Sequence, residues 1–506
     1  MNTGPITDTG ETRPADEDRD DRRGAIALGA VFVVALATRL HRLGEDSLWD
    51  NEILSHARAT ADLGDAYDLI REGTHPPGYS QVILRPWLAI GDSELMQRLP
   101  SVVFGFVAIA ITAALATRLA GRWAGIAAAG LSAVMPLHLY YSREGRMYAL
   151  LALVLIAWIA ALIRAHERDT WSWWAAYTAL GAAALYTHYY AGFTVLSVVA
   201  VTAAFEYRSG LSDRTKRWAL ATGGIGIAFL PWLPTFRYQL SNDPVSHLQA
   251  LSARELAELP IQFFTAFANR SNLDNLVIGA ALMVLFVIAL RALWSGRTTD
   301  ADQGLAASVV VAAVVGTFAL SVLVSLFRPL IFVRYFAGIL PMTAIVLAVG
   351  VSRSRISDAR TRWVALGAFG LLLLARLGHA VPTIDDTWRP DWRAATDQLE
   401  TASADDSVTL LVGPDSGDFR VSGFWYYADP DLPVIEVTGQ VTDPVFTDAV
   451  DQLDADIATV WVVQYELIDR VPELDDFEPV SFQRFDSRFF TGSYRISVVE
   501  LDRTAS

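Results

Sequence analysis

The sequence contains no cysteine, which excludes disulfides, thiolate nucleophiles, Cys-bound zinc and iron–sulfur clusters. Lysine is almost missing as well: Lys216 is the single lysine among 40 basic residues. Charge is scarce, at 19% against roughly 25% in an ordinary soluble protein. There is no excess of positive charge, since the formal net charge is -15, and this argues against a nucleic-acid partner. No Gly-rich fingerprint follows a strand-like run, so a dinucleotide site has no support. Neither tandem repeats nor the inverted repeats of transporters are visible. What is present is apolar: 53% of the 506 residues are hydrophobic, with 15 Trp and 24 Phe. An acidic chain that uses Arg in place of Lys has the composition of a protein bathed in concentrated salt, and points to a halophilic archaeal source. A GC-rich genome produces the same Arg bias.

The charge is unevenly placed. From His379 to Ser506 there are 26 acidic residues against 8 Arg, a net of -18, which leaves the remainder at +3. The chain therefore divides into an apolar, slightly basic body and an acidic tail. Residues 1–24 are polar and are expected to be disordered. No small-residue cleavage site follows the first apolar run, so no cleavable signal peptide is expected.

A membrane span needs about 20 mostly apolar residues. Runs near 25–41, 99–119, 123–141, 147–164, 172–187, 190–206, 217–236, 273–293, 304–326, 331–351 and 362–378 meet that requirement, predicting about eleven transmembrane helices. Arg residues recur at every second connection, which places those connections, and the N-terminus, in the cytoplasm. The long connections 43–98 and 237–272, and the tail, then lie outside. The tail reads as an extracytoplasmic α/β domain, 379–506. Strands are expected at Ser407–Gly413, Pro433–Val437, Ala458–Gln464 and Arg495–Leu501, and helices at Asp391–Glu400 and Thr447–Leu453.

Five polar clusters fall on the outer side. Ser47-Leu48-Trp49-Asp50-Asn51-Glu52 offers two carboxylates beside an interfacial aromatic; one of them half-buried is a general base, both solvated are only a Trp anchor with surface acids. Glu52 and His56, four apart, share a helix face and form half of a metal site. His75-Pro76-Pro77-Gly78 is a constrained turn whose imidazole either meets a substrate or merely shapes the loop. Tyr140 to Tyr148 carries Arg143 and Arg146 against the positive-inside bias, as phosphate ligands or as a snorkelling Arg paired with Glu144. Tyr186-Thr187-His188-Tyr189-Tyr190 suits a sugar or a membrane interface equally. Arg334, followed by Tyr335, sits inside an apolar run, where a charge is expensive and functional by default.

In this order and on these helices, Leu48-Trp49-Asp50-Asn51-Glu52, His75-Pro76-Pro77, Ser142-Arg143-Glu144-Gly145-Arg146-Met147-Tyr148, Tyr186-Thr187-His188-Tyr189, Arg334-Tyr335 and Asp391-Trp392-Arg393 resemble the polytopic glycosyltransferases of the C-type (GT-C) fold. The nearest branch holds the dolichyl-phosphate-mannose-dependent protein mannosyltransferases and the lipid A aminoarabinose transferase. The resemblance covers roughly residues 25–400. It implies a polyprenyl or dolichyl phosphate monosaccharide as donor and inversion at the anomeric carbon. The expected acceptor is a protein-linked or lipid-linked glycan at the cell surface. The carrier lipid is the remaining partner, and no cofactor or metal is required. Carried over residue by residue, Asp50 and Glu52 are catalytic. Arg146, Arg334 and Arg143 hold the donor phosphate, and His75, Tyr148, His188 and Tyr335 line the donor cavity. One departure stands out: the family usually shows adjacent Asp-Glu, whereas here Asn51 occupies the Asp place. Either Asp50 takes over as base with Glu52 in support, or Glu52 carries the role, or activity is altered. The competing readings are a lipid-linked-sugar flippase, an oligosaccharyltransferase using a lipid diphosphate, and an inactive glycan-binding scaffold.

Overall fold

The computed structural model describes residues 15–210, 212–242, 252–265, 283–291, 301–353 and 367. In the tail it describes 391–402, 404, 406–413, 422–438, 444–454, 456–466, 477–486 and 495–504. The span expected at 362–378, most of 273–293, and residues 1–14 lie outside the described residues.

The body is a helical bundle. Among the described residues six segments are long and apolar enough to cross a membrane. The first is α1, Ala15–Leu40. It begins ten residues before the expected span, so Ala15–Gly24 is helical. Within that stretch Asp21 pairs with Arg122. The outer loop then forms α2 (Asp50–Thr60), α3 (Leu63–Arg71), a π-helical turn at Gly78–Leu84 and the short α4 (Arg85–Leu88).

Helices α5 (Glu94–Ala120), α6 (Arg122–Val134) and α7 (Pro136–Tyr141) follow. The run expected as one span at 123–141 is thus two helices. Pro136 lacks the N–H that would continue the first and has the φ that starts the second. Then come α8 (Tyr148–Arg168), α9 (Trp171–Thr187), α10 (Ala191–Ser209), α11 (Asp213–Phe229), α12 (Leu233–Ser241), α13 (Ala253–Thr265), α14 (Ala301–Ser325) and α15 (Leu340–Arg353). A 3-10 segment, Val333–Ile339, leads into α15.

Burial separates these spans. In the segment Val333–Ser352, 94% of the apolar window is enclosed by protein, and in Tyr148–Arg168 78%, against 17% in α1 and in the Asp213–Ser241 segment. The central pair packs closely: Gly338 leaves a Cβ no room, since it would stand 2.8 Å from Leu151. Phe318 stacks on Phe336 at 4.2 Å, and Trp158 on Tyr177 at 5.4 Å. The outermost helices expose apolar side chains such as Val33, Leu220 and Ile227, as lipid-facing helices do.

The tail is a five-stranded mixed sheet: β1 (Ser407–Gly413), β2 (Val434–Thr438), β3 (Thr459–Glu466), β4 (Phe477–Asp486) and β5 (Arg495–Arg503), in the order β2-β1-β3-β5-β4. The first three pair parallel, and β5 pairs antiparallel with both β3 and β4. Alternation along β1 feeds two cores. Val408, Leu410 and Val412 meet Phe446 of α18 (Pro444–Asp451) on one face. On the other, Leu411 meets Trp392 and Leu399 of α16 (Trp392–Ala402) and Phe424 of α17 (Ser422–Tyr427). The four expected strands are present within two residues of their bounds. Strand β4, an edge strand with Pro479 and a bulge, and the short α17 have no clean periodicity and were not anticipated.

The tail docks onto the outer loop. The Leu48 N–H donates to the Tyr427 hydroxyl at 2.6 Å, and that hydroxyl donates to Glu94 at 3.1 Å. Arg393 pairs with Glu94 at 2.7 Å and reaches the Glu45 carbonyl, and Tyr426 meets the His56 ring edge-on at 5.1 Å.

Candidate active site

Helix α2 presents a polar face to the bundle. Asp50, Glu52, Ser55 and Arg58 are all buried. The three-residue steps 52, 55 and 58 keep one side of the helix turned inward, whereas Asp50 and Glu52, at about 100° per residue, project roughly 200° apart. The two carboxylates therefore do different things.

Glu52 belongs to a closed knot. Its Oε1 accepts from Arg98 Nε at 3.0 Å and from the Gly145 N–H at 2.7 Å, and its Oε2 accepts from Arg98 Nη2 at 2.8 Å. Arg98, itself 1% exposed, also donates to the carbonyls of Leu43, Asp46 and Ser47. Gln97 donates to the Glu52 carbonyl at 2.7 Å and accepts from His56 Nδ1 at 3.1 Å. This knot fixes the chain on both sides of Asp50. It also separates Glu52 from His56, which use different partners, so the pair expected as half a metal site does not converge.

Arg146 enters from the α7–α8 turn. Its Nη1 donates to the Asn51 carbonyl at 2.9 Å and to Ser55 Oγ at 2.7 Å. Its neighbour Arg143 goes elsewhere. Arg143 Nη1 donates to the Thr38 and His41 carbonyls, each at 2.7 Å, and so closes the C-terminal end of α1. That geometry makes Arg143 a clamp on the end of α1, apart from the Arg146 contacts on α2.

Beyond Arg146 lies an aromatic and imidazole basin. His188 is the hub, with ring centroids 5.1 Å from His75, 5.7 Å from Tyr148 and 5.2 Å from Tyr335. It ends α9 in extended backbone, and its Nδ1 accepts the Tyr190 N–H at 3.1 Å. The ring proton of the neutral imidazole then resides on Nε2, which is buried with no hydrogen-bond partner among the described residues. His75 is brought in by the Pro76-Pro77-Gly78 turn. Gly78 is required there, because a Cβ would stand 2.4 Å from the Tyr186 carbonyl oxygen. Arg334 lies over Phe332 at 4.2 Å and near Tyr335 at 5.7 Å, and its buried Nε has no hydrogen-bond partner among the described residues.

The electrostatics follow from this crowding of cations. Burial, then Arg146 and Arg334, push the His188 pKa down to about 3. Burial, then His188, Arg146, Arg58 and Arg334, hold His75 well below the usual imidazole range. Both rings are neutral at ordinary pH. Burial and the adjacent Arg146 lower the Arg58 pKa to about 9, which leaves it charged near neutrality. Of the expected site residues, the structure gathers His75, Arg146, Tyr148, His188, Arg334 and Tyr335 beside the helix that begins at Asp50. Sequence reasoning missed Arg58, Arg98, Gln97 and Tyr427. The first three carry no local motif, and the fourth comes from the other domain.

Comparison with known proteins agrees with this geometry. Residues 74–234 match the family model described as dolichyl-phosphate-mannose-protein mannosyltransferase; the matched stretch includes His75, Arg146, Tyr148 and His188. The fold is similar to that of ArnT from Cupriavidus metallidurans in the apo state, at 14% identity, with a TM-score of 0.59 over 95% of this chain and 98% of that one. It is similar to ArnT bound to undecaprenyl phosphate, at 15% identity and TM-score 0.52 over 94% and 97% of the two chains. It is also similar to the archaeal oligosaccharyltransferase AglB from Archaeoglobus fulgidus, in complex with an inhibitory peptide and a dolichol-phosphate. That match has 10% identity and a TM-score of 0.52, over 88% of this chain and 70% of that one. No curated protein matches the sequence. The chain is a multi-pass membrane protein with the GT-C fold, and its residues 74–234 match a glycosyltransferase family model.

Proposed function

We propose that the protein transfers a monosaccharide, with mannose the first candidate, from a polyprenyl-phosphate donor to a hydroxyl acceptor at the outer membrane face. One observation carries this reading: Arg146, tied to α2 through Asn51 and Ser55, joins the helix that begins at Asp50 to the His75–His188–Tyr148–Tyr335–Arg334 basin. A buried carboxylate at the start of the helix that Arg146 ties to a cationic, aromatic-lined basin supplies the groups that displacement at a sugar–phosphate carbon requires.

In the step, the acceptor oxygen attacks the anomeric carbon from the face opposite the phosphate. The bond from that carbon to the phosphate oxygen breaks, and the phosphate leaves with the electron pair. The acceptor proton passes to the Asp50 carboxylate, which serves as base. Glu52 is a positioning residue, since Arg98 and Gly145 already occupy its oxygens. Arg146 and Arg334 hold the phosphate, while Tyr148, Tyr335 and the neutral His75 and His188 receive the sugar. Undecaprenyl phosphate on ArnT, dolichol-phosphate on AglB and the mannosyltransferase family model support a lipid-phosphate donor. The acidic tail and the outer loop lie on the extracytoplasmic side and admit the acceptor, a protein-linked or lipid-linked glycan. The step itself calls for no metal.

The test is transfer of labelled mannose from dolichyl phosphate mannose, in high salt, in membranes holding the wild type or Asp50→Ala, with cell-surface glycans as acceptor. Transfer by the wild type that collapses in the variant supports the reading. Equal transfer by both removes Asp50 as base. Movement of intact donor across the membrane without transfer would turn the reading to a flippase.

A further inference from the structure

Arg58 has no place in the motifs. It lies on the buried face of α2, two turns after Glu52, and is 6% exposed. Its Nε donates to the Leu69 carbonyl at 3.2 Å, which aims the guanidinium across the outer loop toward the His75 turn. Gly73 leaves room for its tip: a Cβ on residue 73 would stand 2.1 Å from Arg58 Nη2. Arg146 is bonded to Ser55, one turn earlier on the same face, so the two guanidinium groups approach one another. Arg334 completes a set of three around His75. Among the described residues no ion pair joins Arg58, Arg146 or Arg334 to a carboxylate, although Arg98 in the knot has a bidentate one. Glu144 acts on Arg334 electrostatically without forming one of the ion pairs among the described residues. Like charges gathered under burial without paired acids call for an anion.

We propose that Arg58 is a third phosphate-binding residue, which takes up the second negative charge that appears on the leaving phosphate. The proposal rests on the lipid-phosphate transfer reading above and adds the charge state that the site selects. The donor is a phosphodiester with one negative charge. When the bond from the anomeric carbon to oxygen breaks, the electron pair stays on the phosphate, and the product is a monoester that is close to a dianion at neutral pH. A cation engaged by that second charge binds the transition state and product more tightly than the donor. It therefore acts on kcat and on product affinity more than on KM.

The experiment uses the full-length protein in detergent or nanodiscs. Binding of polyprenyl phosphate, a dianion, is compared with binding of its methyl phosphodiester, a monoanion, and transfer kinetics are measured with dolichyl phosphate mannose. The wild type is expected to prefer the dianion at least tenfold. Arg58→Gln is expected to erase that preference and to lower kcat by about 10²-fold, with KM for the donor changed less than threefold. Arg58→Lys, which keeps the charge, is expected to recover part of both. Equal affinity of the wild type for the two lipids overturns the proposal even if Arg58→Gln fails to fold. So does a folded Arg58→Gln that keeps the dianion preference, or one that raises KM at unchanged kcat. Loss of the dianion preference in Arg58→Gln, in a wild type that transfers no sugar, would sustain phosphate binding by Arg58 and reject the transfer reading instead.

Discussion

Two clusters of buried charge lie a helix turn apart on α2, and they are built on opposite principles. In the Glu52–Arg98 knot every charge has a partner: Arg98 reaches both Glu52 oxygens and three main-chain carbonyls, and Glu52 also takes the Gly145 N–H. In the basin, Arg58, Arg146 and Arg334 rest on carbonyls, a hydroxyl and aromatic faces. A satisfied buried pair holds a shape, while an unsatisfied group of like charges costs stability unless a ligand offsets it. The difference separates scaffold from site without any appeal to motif.

The comparison breaks most sharply at Asp50. Asp50→Asn keeps the shape and removes the base, so transfer is expected to fall about 10²- to 10⁴-fold while the protein still elutes as a folded species on size exclusion. Retained transfer would move the base to Glu52 or elsewhere. Glu52→Ala attacks the knot instead. It leaves Arg98 buried without its counter-charge, and is expected to cost about 3–5 kcal/mol of stability, seen as a lower unfolding midpoint in detergent. Arg334→Gln should leave that midpoint almost unchanged while weakening donor binding. If the two variants exchange these effects, the division between knot and basin is wrong.

Acid sharpens the contrast next. His75 and His188 are held neutral in the folded protein, whereas in the unfolded chain they bind protons near pH 6.5. Below that pH the unfolded state binds more protons, so stability declines as pH falls, by up to about 1.4 kcal/mol per pH unit for each ring. His188→Gln should flatten this decline between pH 6.5 and 4 in thermal unfolding scans. The smallest effect is expected at the domain seam. Tyr427→Phe removes the hydroxyl that accepts the Leu48 N–H, two residues before Asp50, and should cost about 0.5–1.5 kcal/mol. A several-fold fall in kcat with donor KM unchanged would show that the tail helps to hold Asp50; wild-type kinetics would make the seam purely structural.

Much of this architecture was legible because hydropathy and side-chain alternation are local. The division into body and tail, most of the spans and four strands follow from runs of apolar residues that need either lipid or a core. Arg334 stood out as a charge inside an apolar run, Arg146 as an Arg against the positive-inside bias, and His75 and His188 by a Pro-Pro-Gly turn and an aromatic cluster. Arg98 and Arg58 did not, since an Arg at a helix start or on an amphipathic helix is ordinary until its partner is known. The partners of Arg98 lie 46 to 55 residues away and that of Arg58 lies 11 away on another helix, and periodicity reports only which residues share one helix face. Arg143 and Arg146, three apart in one motif, read as equivalent, but one turn of backbone sends the first to the end of α1 and the second to α2.

The sequence by itself determined that this chain enters a membrane, carries an acidic α/β tail and keeps its polar clusters at the ends of its spans, because burying apolar surface and satisfying the backbone in lipid leave few alternatives. Only the tertiary structure decided which of the described cations meet a buried carboxylate and which rest on carbonyls, a hydroxyl and aromatic faces. That is a matter of distances of a few ångströms between helices, and no one-dimensional pattern records them.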